Sequence, residues 1–366
     1  MNAPLDLARR TSVHVPATPA SVLWGRLPSA RDEPVQIVGS GSLVSLDTIS
    51  HEGALPDQGG DPAAFFRRHG IDDILPDLVE CAAALPRDAA ADGPHFVTGP
   101  VAVTGARPGD LLRVDIVSLR RRCDYGVVSD RHHKDVFAAE PGTRPFAASQ
   151  DLAYAVVHVD AAGDREFARM DGFPAVELRP FLGIIGVAPA GNERLHSGPP
   201  GNFGGNLDLA YLVEGSTLFL PVQVEGALFY VGDPHFVQGN GELASTALEA
   251  PLTVTVRLTV LPGAADRHPD APVALAGDNV VVCGLDRDLG RAVRLATANT
   301  LTLLEKCGRA PQQSLLWLSM AGEVEVTQVV DGVLGAHVVC PAEAFEPVIA
   351  DWAAADADSL PDPSHT

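Results

Sequence analysis

The stretch LTVTVRLTVL, residues 252–261, alternates apolar and polar side chains from Leu252 to Val260. Successive side chains of a strand point to opposite faces of a sheet, so a period of two predicts a strand with one buried face. Similar alternation recurs in residues 34–50, 101–119 and 216–233. The chain is therefore expected to fold mainly into β-structure.

Composition supports many short strands joined by ordered loops. The 366 residues include 35 Gly and 30 Pro, the residues that most often form turns. The arrangement expected is a β-sandwich or barrel-like core.

The last hundred residues follow a different pattern. Residues 286–308 have apolar positions at helical spacing, with Asp286 or Asp288 to cap the helix and Gly308 to end it. Residues 311–322 predict a second helix, and 323–341 predict a β-hairpin turning at Asp-Gly. We thus expect a β-rich catalytic domain over residues 1–265 and an α+β region over 266–366, a helical hairpin plus a β-hairpin, packed on it. The acidic tail from about residue 353 is expected to be frayed.

Charge and cysteine content exclude several function classes. A net charge of -21 disfavours both nucleic acid and an anionic membrane as partners. The five cysteines are odd in number and widely spaced, and neither a disulfide framework nor a zinc finger fits them. With no apolar run long enough for a signal or a bilayer span, we expect a cytoplasmic, reduced protein.

The stretch GDPHFVQGNGE, residues 232–242, contains an Asp, a His, a Gln and a Glu but few large apolar side chains. Asp233 and His235 lie two apart and can face the same way, and Glu242 follows a Gly-Asn-Gly turn that can fold its carboxylate back. Imidazole and carboxylate groups bind Zn²⁺ and similar ions. The alternative is an ordinary turn, since Gly-Asp, Asp-Pro and Asn-Gly are turn dipeptides.

Three further stretches are weaker candidates. In GNFGGNLDL, Asn206 and Asp208 can share one face, although the segment also reads as a glycine-rich connection. His95 enters a strand in GPHFVTGP, where a lone histidine is more often structural. The loop SDRHHKD, with His132 and His133, is interpreted as an exposed polar loop, the alternative being a lid over a pocket.

Several catalytic motifs are missing. The chain has no Gly-x-Ser-x-Gly elbow, no Gly-x-x-x-x-Gly-Lys-Ser/Thr loop and no Gly-x-Gly-x-x-Gly after a strand. Lys134 and Lys306 are its only lysines. These absences leave little scope for a catalytic site built on a nucleophilic serine or on lysine. Hydrolysis by a metal-activated water is therefore the mechanism that we expect.

The chain resembles the acetamidase/formamidase family in long, ordered segments. These are HFVTGPVAVTGARPGDLLRVDI (95–116), PFLGIIGVAP (180–189), GGNLDL (204–209), residues 215–249 and LSMAGEVEVTQVVDG near the C-terminus. The resemblance implies a β-rich fold, hydrolysis of a small linear amide to carboxylate and ammonia, a divalent metal and a homo-oligomer. Phe236-Val237 and residues 120–175 depart from the family pattern and bear on which substrate fits.

The hypothesis is a metal-dependent amidohydrolase. The expected metal ligands are His95, Asp208 and His235, with Asn206, Asp233 and Gln238 on the ion or beside its ligands. The metal is expected to be zinc, with calcium as the alternative. Glu242 is expected to act as general base, with Asp233 also placed among the catalytic residues and Glu249 as a second candidate for the base. Two competing functions are a non-enzymatic β-rich protein that binds a small ligand or calcium, and a hydrolase of a cyclic or ureido C–N bond.

Overall fold

The computed structural model describes residues 13–131, 134–138, 140–146, 152–162 and 165–358. The interpretation of His132 and His133 as part of an exposed loop falls outside these residues. The strands are β1 (Val13–Val15), β2 (Val22–Trp24), β3 (Gln36–Val38), β4 (Ser42–Asp47), β5 (Phe96–Val103), β6 (Leu111–Arg121), β7 (Tyr125–Ser129), β8 (Tyr154–Ala162), β9 (Arg165–Arg169), β10 (Val176–Glu177), β11 (Phe181–Val187), β12 (Gly204–Asn206), β13 (Thr217–Pro221), β14 (Phe229–Val237), β15 (Leu248–Glu249), β16 (Leu252–Leu261), β17 (Val273–Ala276), β18 (Asn279–Asp286), β19 (Glu323–Gln328) and β20 (Leu334–Pro341). The helices are α1 (Pro62–Arg68), α2 (Pro76–Ala84), α3 (Leu289–Lys306), α4 (Pro311–Ala321) and α5 (Glu346–Asp358).

Two large sheets organise the molecule. One has nine strands in the order β1-β4-β16-β6-β13-β17-β18-β20-β19. The other has eleven, in which β10-β9-β8-β7-β15-β14-β11-β12 form the path and β5 joins β2 and β3 to β14. The expected mainly β fold with a helical C-terminal part is confirmed.

Strand β16 shows why the sequence alternation forms this sheet. It pairs antiparallel with β4 on one side and β6 on the other. Leu252, Val254 and Val256 are buried while the residues between them are partly exposed. A single apolar core joins residues of both sheets, including Val256 from the first and Val231 from the second.

A helical layer covers the C-terminal half of the nine-stranded sheet. The Asp288 side chain caps α3 by accepting from the Arg291 N–H at 2.7 Å. Helix α3 contacts α4, and β19 pairs antiparallel with β20, so the helical hairpin and the β-hairpin are both confirmed.

The expectation of a frayed tail from residue 353 is wrong for residues 353–358, which continue α5. Val348 and Trp352 are one turn apart and buried in the core beneath the helices, which anchors that helix. Residues 359–366 lie outside the described chain.

The nine-stranded sheet continues across residue 265, because β13 pairs with β17. The division into two domains at that point stays a prediction. Within the described ranges, no helix combines the length and apolar character that a membrane crossing requires.

Candidate active site and metal centre

Strand β14 is the backbone of the candidate site. It is buried from Phe229 to Phe236 and pairs with β5, β11 and β15. Asp233 and His235 point to the same side, with His235 Nε2 3.1 Å from Asp233 Oδ2. The opposite residue on β15, Glu249, brings its Oε1 to 3.0 Å from the same nitrogen.

The turn after β14 returns a second carboxylate to the strand. Glu242 adopts a left-handed backbone with φ of 46° and is 6% exposed. Its carboxylate, an oxygen of Asp208 and a nitrogen of His235 all lie within 4.8 Å of one another. Asp208 and Asp233 are also left-handed, with φ of 51° and 48°. Non-glycine residues rarely adopt this conformation, and its clustering at one place is typical of a functional site.

Asp208 follows β12 and is held by its neighbours. The Gln238 Nε2 donates to the Asp208 backbone carbonyl at 2.9 Å. Asn206 Nδ2 donates to Asp331 Oδ2 at 3.0 Å, which ties β12 to the turn between β19 and β20. Asn206 and Gln238 therefore position the site through their side-chain N–H₂ groups, while Asn206 Oδ1 and Gln238 Oε1 have no hydrogen-bond partner within the described ranges.

His95 reaches the cluster from the start of β5. Its Nδ1 is 2.9 Å from Ser197 Oγ, which turns the ring so that Nε2 lies 3.7 Å from Asp233 Oδ1. His51, in the loop after β4, places Nδ1 at the same distance, 3.7 Å, from the same oxygen. Asp233 thus joins the two histidines to His235.

A buried ion-pair network supports His51. Glu52 is fully buried, and its Oε1 lies 3.5 Å from His51 Nε2 and 3.3 Å from Arg131 NH1. Gln58 and Ser129 also donate to the Glu52 carboxylate. These contacts fix the position of His51, although sequence reasoning singled out neither His51 nor Glu52.

Gly183 on β11 leaves the space in which the carboxylates meet. A Cβ at this position would lie 2.5 Å from both Asp208 Oδ1 and Asp233 Oδ2. Real Cβ atoms essentially never approach so closely, so any larger side chain at this position would displace the two carboxylates.

Acidic side chains outnumber basic ones at the site, and burial shifts their pKa values. Burial raises the pKa of Glu242 well above its usual range, and the Asp331 carboxylate adds to the rise. Burial and the Glu242 carboxylate raise the pKa of Asp208 in the same way. Burial lowers the pKa of His95 to about 3 against the attraction of Asp233, which favours the neutral imidazole. For His235, burial would lower the pKa, but the carboxylates of Glu249 and Asp233 prevail and raise it.

The donor atoms fit a divalent cation. Three groups of buried side chains each bring three potential ligand atoms within 4.8 Å of one another, namely His51, His95 and Asp233; Asp208, His235 and Glu242; and Asp233, His235 and Glu249. In the described part of the chain, both Asp208 carboxylate oxygens, Asp233 Oδ1, both ring nitrogens of His51 and Nδ1 of His235 are buried without a hydrogen-bond partner. Buried polar atoms normally have partners, and a cation would satisfy these lone pairs and favour the charged form of the carboxylates.

The structure gathers the residues that the sequence singled out. Asp208 and His235 share one group with Glu242, whereas His95 belongs to the neighbouring group through Asp233. Sequence reasoning missed His51, Glu52, Ser197 and Asp331. A histidine directly after the alternating run of residues 34–50 was the one available signal for His51, and it is weak on its own.

Comparisons with known proteins point to one family. The model of the Acetamidase/Formamidase family matches residues 189–347. An acetamidase of Mycolicibacterium smegmatis is 28% identical over 204 residues, covering 41% of this chain and 49% of that protein. A putative formamidase of Schizosaccharomyces pombe is 27% identical over 231 residues, covering 50% of this chain and 56% of that protein. The chain therefore spans about half the length of these two relatives.

The fold also matches solved structures. The crystal structure of a predicted acetamidase/formamidase of Thermoanaerobacter tengcongensis superposes with a TM-score of 0.72 at 22% identity, covering 93% of this chain and 98% of that one. At this identity the likeness establishes the shared fold.

Proposed function

Because the chain belongs to the acetamidase/formamidase family, we propose that it is a metal-dependent hydrolase that converts a linear amide and water into a carboxylate and ammonia. The observation that carries this proposal is the convergence of buried imidazole and carboxylate groups, several of whose lone pairs have no hydrogen-bond partner among the described residues.

The chain offers a ligand set that suits zinc. His95 would hold a cation with His51 and Asp233, while Asp208 and His235 form the neighbouring group with Glu242 and would provide ligands on that side. Two imidazoles beside a carboxylate, as in the group of His51, His95 and Asp233, favour zinc over calcium, which prefers oxygen ligands alone. A divalent cation in such a site lowers the pKa of water to roughly 7 and polarises a carbonyl group.

Glu242 is positioned to move the protons. It accepts a proton from the attacking water as the new C–O bond forms at the amide carbon. It then returns that proton to the nitrogen as the C–N bond breaks, so that ammonia leaves and the carboxylic acid remains. Glu249 is less suited to this task, because its Oε1 is held by His235 and by the Ala247 N–H at 3.2 Å.

Gln238 is positioned to orient the substrate. Its Nε2 is engaged with the Asp208 carbonyl, while its Oε1 has no partner among the described residues. That oxygen can accept a hydrogen bond from the amide N–H₂ group of the substrate, which would aim the carbonyl carbon at the water beside Glu242.

The test is ammonia release from formamide, acetamide and propionamide before and after treatment with a chelator, followed by zinc add-back. We expect turnover that is lost with the metal and restored by zinc. Glu242→Gln should reduce kcat by about 10²–10⁴-fold while the protein keeps its metal by elemental analysis. Glu323→Gln, an exposed glutamate on β19, is the matched control and should change neither quantity.

Each contrary outcome identifies the part that fails. Loss of metal in Glu242→Gln would make Glu242 a ligand rather than the base, and full activity after chelation would overturn metal dependence. Turnover of a lactam or an N-carbamoyl compound in place of the linear amides would support the hydrolysis of another C–N bond. Tight calcium binding without any turnover would support a binding protein.

We also propose a homo-oligomer in a reducing, cytoplasmic setting. All five cysteines are free, as expected where thiols stay reduced. Leu316 and Met320 on α4 and Val324 on the edge strand β19 are more than half exposed, which favours contact with another copy. Light scattering after size exclusion and cell fractionation would test these two statements, and a monomer would contradict the first.

A further inference from the structure

An apolar pocket of about 470 Å³ lies beside the candidate site. One wall is the face of the sheet formed by β7, β8 and β9, through Val128, Val157 and Ala168. The other wall is the segment from Val237 to Leu248, which also carries Glu242. The pocket therefore adjoins the proposed base.

Large apolar side chains surround this pocket at the protein surface. Met170, Phe173 and Leu243 are 45%, 68% and 61% exposed. Exposed apolar groups scattered singly are ordinary, but several around one depression mark a binding surface. Their position around the entrance suits an apolar group that enters from solvent.

The polar groups of the pocket lie together. Glu242 and Gln238 both line the pocket. Gln238 also donates to the Asp208 carbonyl, and Glu242 shares a group of potential metal ligands with Asp208. A ligand with its amide at these two residues would therefore extend its substituent along the apolar walls. An apolar pocket with a few convergent polar groups is the usual form of a small-molecule site.

The size of the pocket exceeds what the smallest amides need. Formamide has three heavy atoms, and at about 30 Å³ for each water-sized group it fills about 90 Å³.

The strands of one wall, β7 to β10, lie before residue 189, where the family match begins. The wall is thus built by a part of the chain that the family model does not cover.

We propose that the substrate is a linear amide with an extended apolar substituent, such as a medium-chain alkyl or an arylalkyl group, which binds along the walls formed by β7, β8, β9 and the Val237–Leu248 segment. This inference rests on the proposed amidohydrolase function and names the substrate class.

The test compares hexanamide and phenylacetamide with acetamide on the zinc-loaded protein. Four additional methylene groups in an apolar pocket are expected to raise kcat/KM for hexanamide about 100-fold over acetamide. Met170→Ser and Phe173→Ser should each lower kcat/KM for hexanamide about tenfold and leave acetamide within about twofold. Ile37→Ser is the matched control, because Ile37 is 62% exposed and does not line the pocket.

Binding of hexanamide and acetamide by calorimetry gives a readout that does not need turnover. If kcat/KM for acetamide equals that for hexanamide, or if Met170→Ser lowers kcat/KM for the two substrates equally, the inference is overturned and the amidohydrolase function stands. If no amide is hydrolysed but hexanamide binds tightly and Met170→Ser weakens it, the ligand class is supported and the enzymatic function fails. If hexanamide neither binds nor reacts while acetamide is hydrolysed, only the inference fails; if no amide binds or reacts, both fail.

A subunit contact is the other occupant that this face could have. A change of oligomeric state in Met170→Ser and Phe173→Ser but not in Ile37→Ser, with an unchanged preference among amides, would assign the walls to that contact and overturn the proposal.

Discussion

Gly183 is the residue on which the space for the proposed cation depends. Its missing side chain lets Asp208 and Asp233 approach each other across β11. Gly183→Ala would push a methyl group to 2.5 Å from both carboxylates, so they must separate. We expect the variant to fold, to bind zinc at least about tenfold more weakly and to lose most amidohydrolase activity.

Zinc titration followed by circular dichroism and elemental analysis would check this prediction. Gly39→Ala is the control, because a Cβ there meets only Ser42 Oγ at 3.9 Å. Wild-type zinc affinity in Gly183→Ala would show that the cation, if it binds, does not lie between these carboxylates.

The proximity of some site residues could be predicted because it is local in the chain. Asp233 and His235 are two apart on one strand, and the Gly-Asn-Gly turn returns Glu242 to them. His51 and Asp331 could not be placed in this way, since they approach the cluster from loops almost three hundred residues apart. Only the pairing of the strands brings them together.

At the scale of elements, local patterns predict helices and strands but not their partners. Strand β16 and helix α3 follow from periodicity and a capping aspartate. Strands β5 and β6 flank the turn at Arg107-Pro108-Gly109-Asp110, yet they belong to different sheets. The alternation of apolar and polar residues is the same whether the two strands pair with each other or lie in different sheets. The sequence pattern therefore does not show to which sheet each strand belongs.

The docking of α5 depends on a buried neutral histidine. The His268 ring lies 5.5 Å from that of Trp352 on α5, and its Nδ1 is 2.6 Å from the Pro269 carbonyl, to which it donates. Burial lowers the pKa of His268 to about 4 from the ordinary value of 6.5. The unfolded chain therefore binds more protons than the folded chain between these two pH values.

It follows that His268 lowers the stability of the protein as the pH falls from 6.5 towards 4. His268→Gln should make the free energy of unfolding less dependent on pH in this window, which urea denaturation at several pH values would measure. Ile37→Gln, at a residue that is 62% exposed and does not titrate, is the control and should keep the wild-type slope. An equal slope in wild type and His268→Gln would mean that the pKa of His268 is the same in the folded and unfolded chains.

At the scale of the whole molecule, the site is assembled from nearly the full length of the chain. His51 follows a strand of the nine-stranded sheet, whereas β5, β12, β14 and β15 supply the others from the eleven-stranded sheet. Composition and alternation predict the fold class, but they do not say how the sheets are divided. Because the proposed ligands come from both sheets, a bound cation would link the two sheets.

This assembly predicts that metal binding stabilises the entire fold. A ligand that binds only the folded state at 100 times its Kd adds about 2.7 kcal/mol to the free energy of unfolding. We therefore expect protein stripped by a chelator to unfold several degrees below the zinc-loaded protein in calorimetry, as one cooperative transition in both states. Gly183→Ala should show a smaller zinc-dependent rise in Tm, and magnesium, which prefers oxygen ligands, should raise the Tm of the wild type less than zinc does. Equal midpoints for stripped and zinc-loaded wild type would contradict a cation that bridges loops from both sheets.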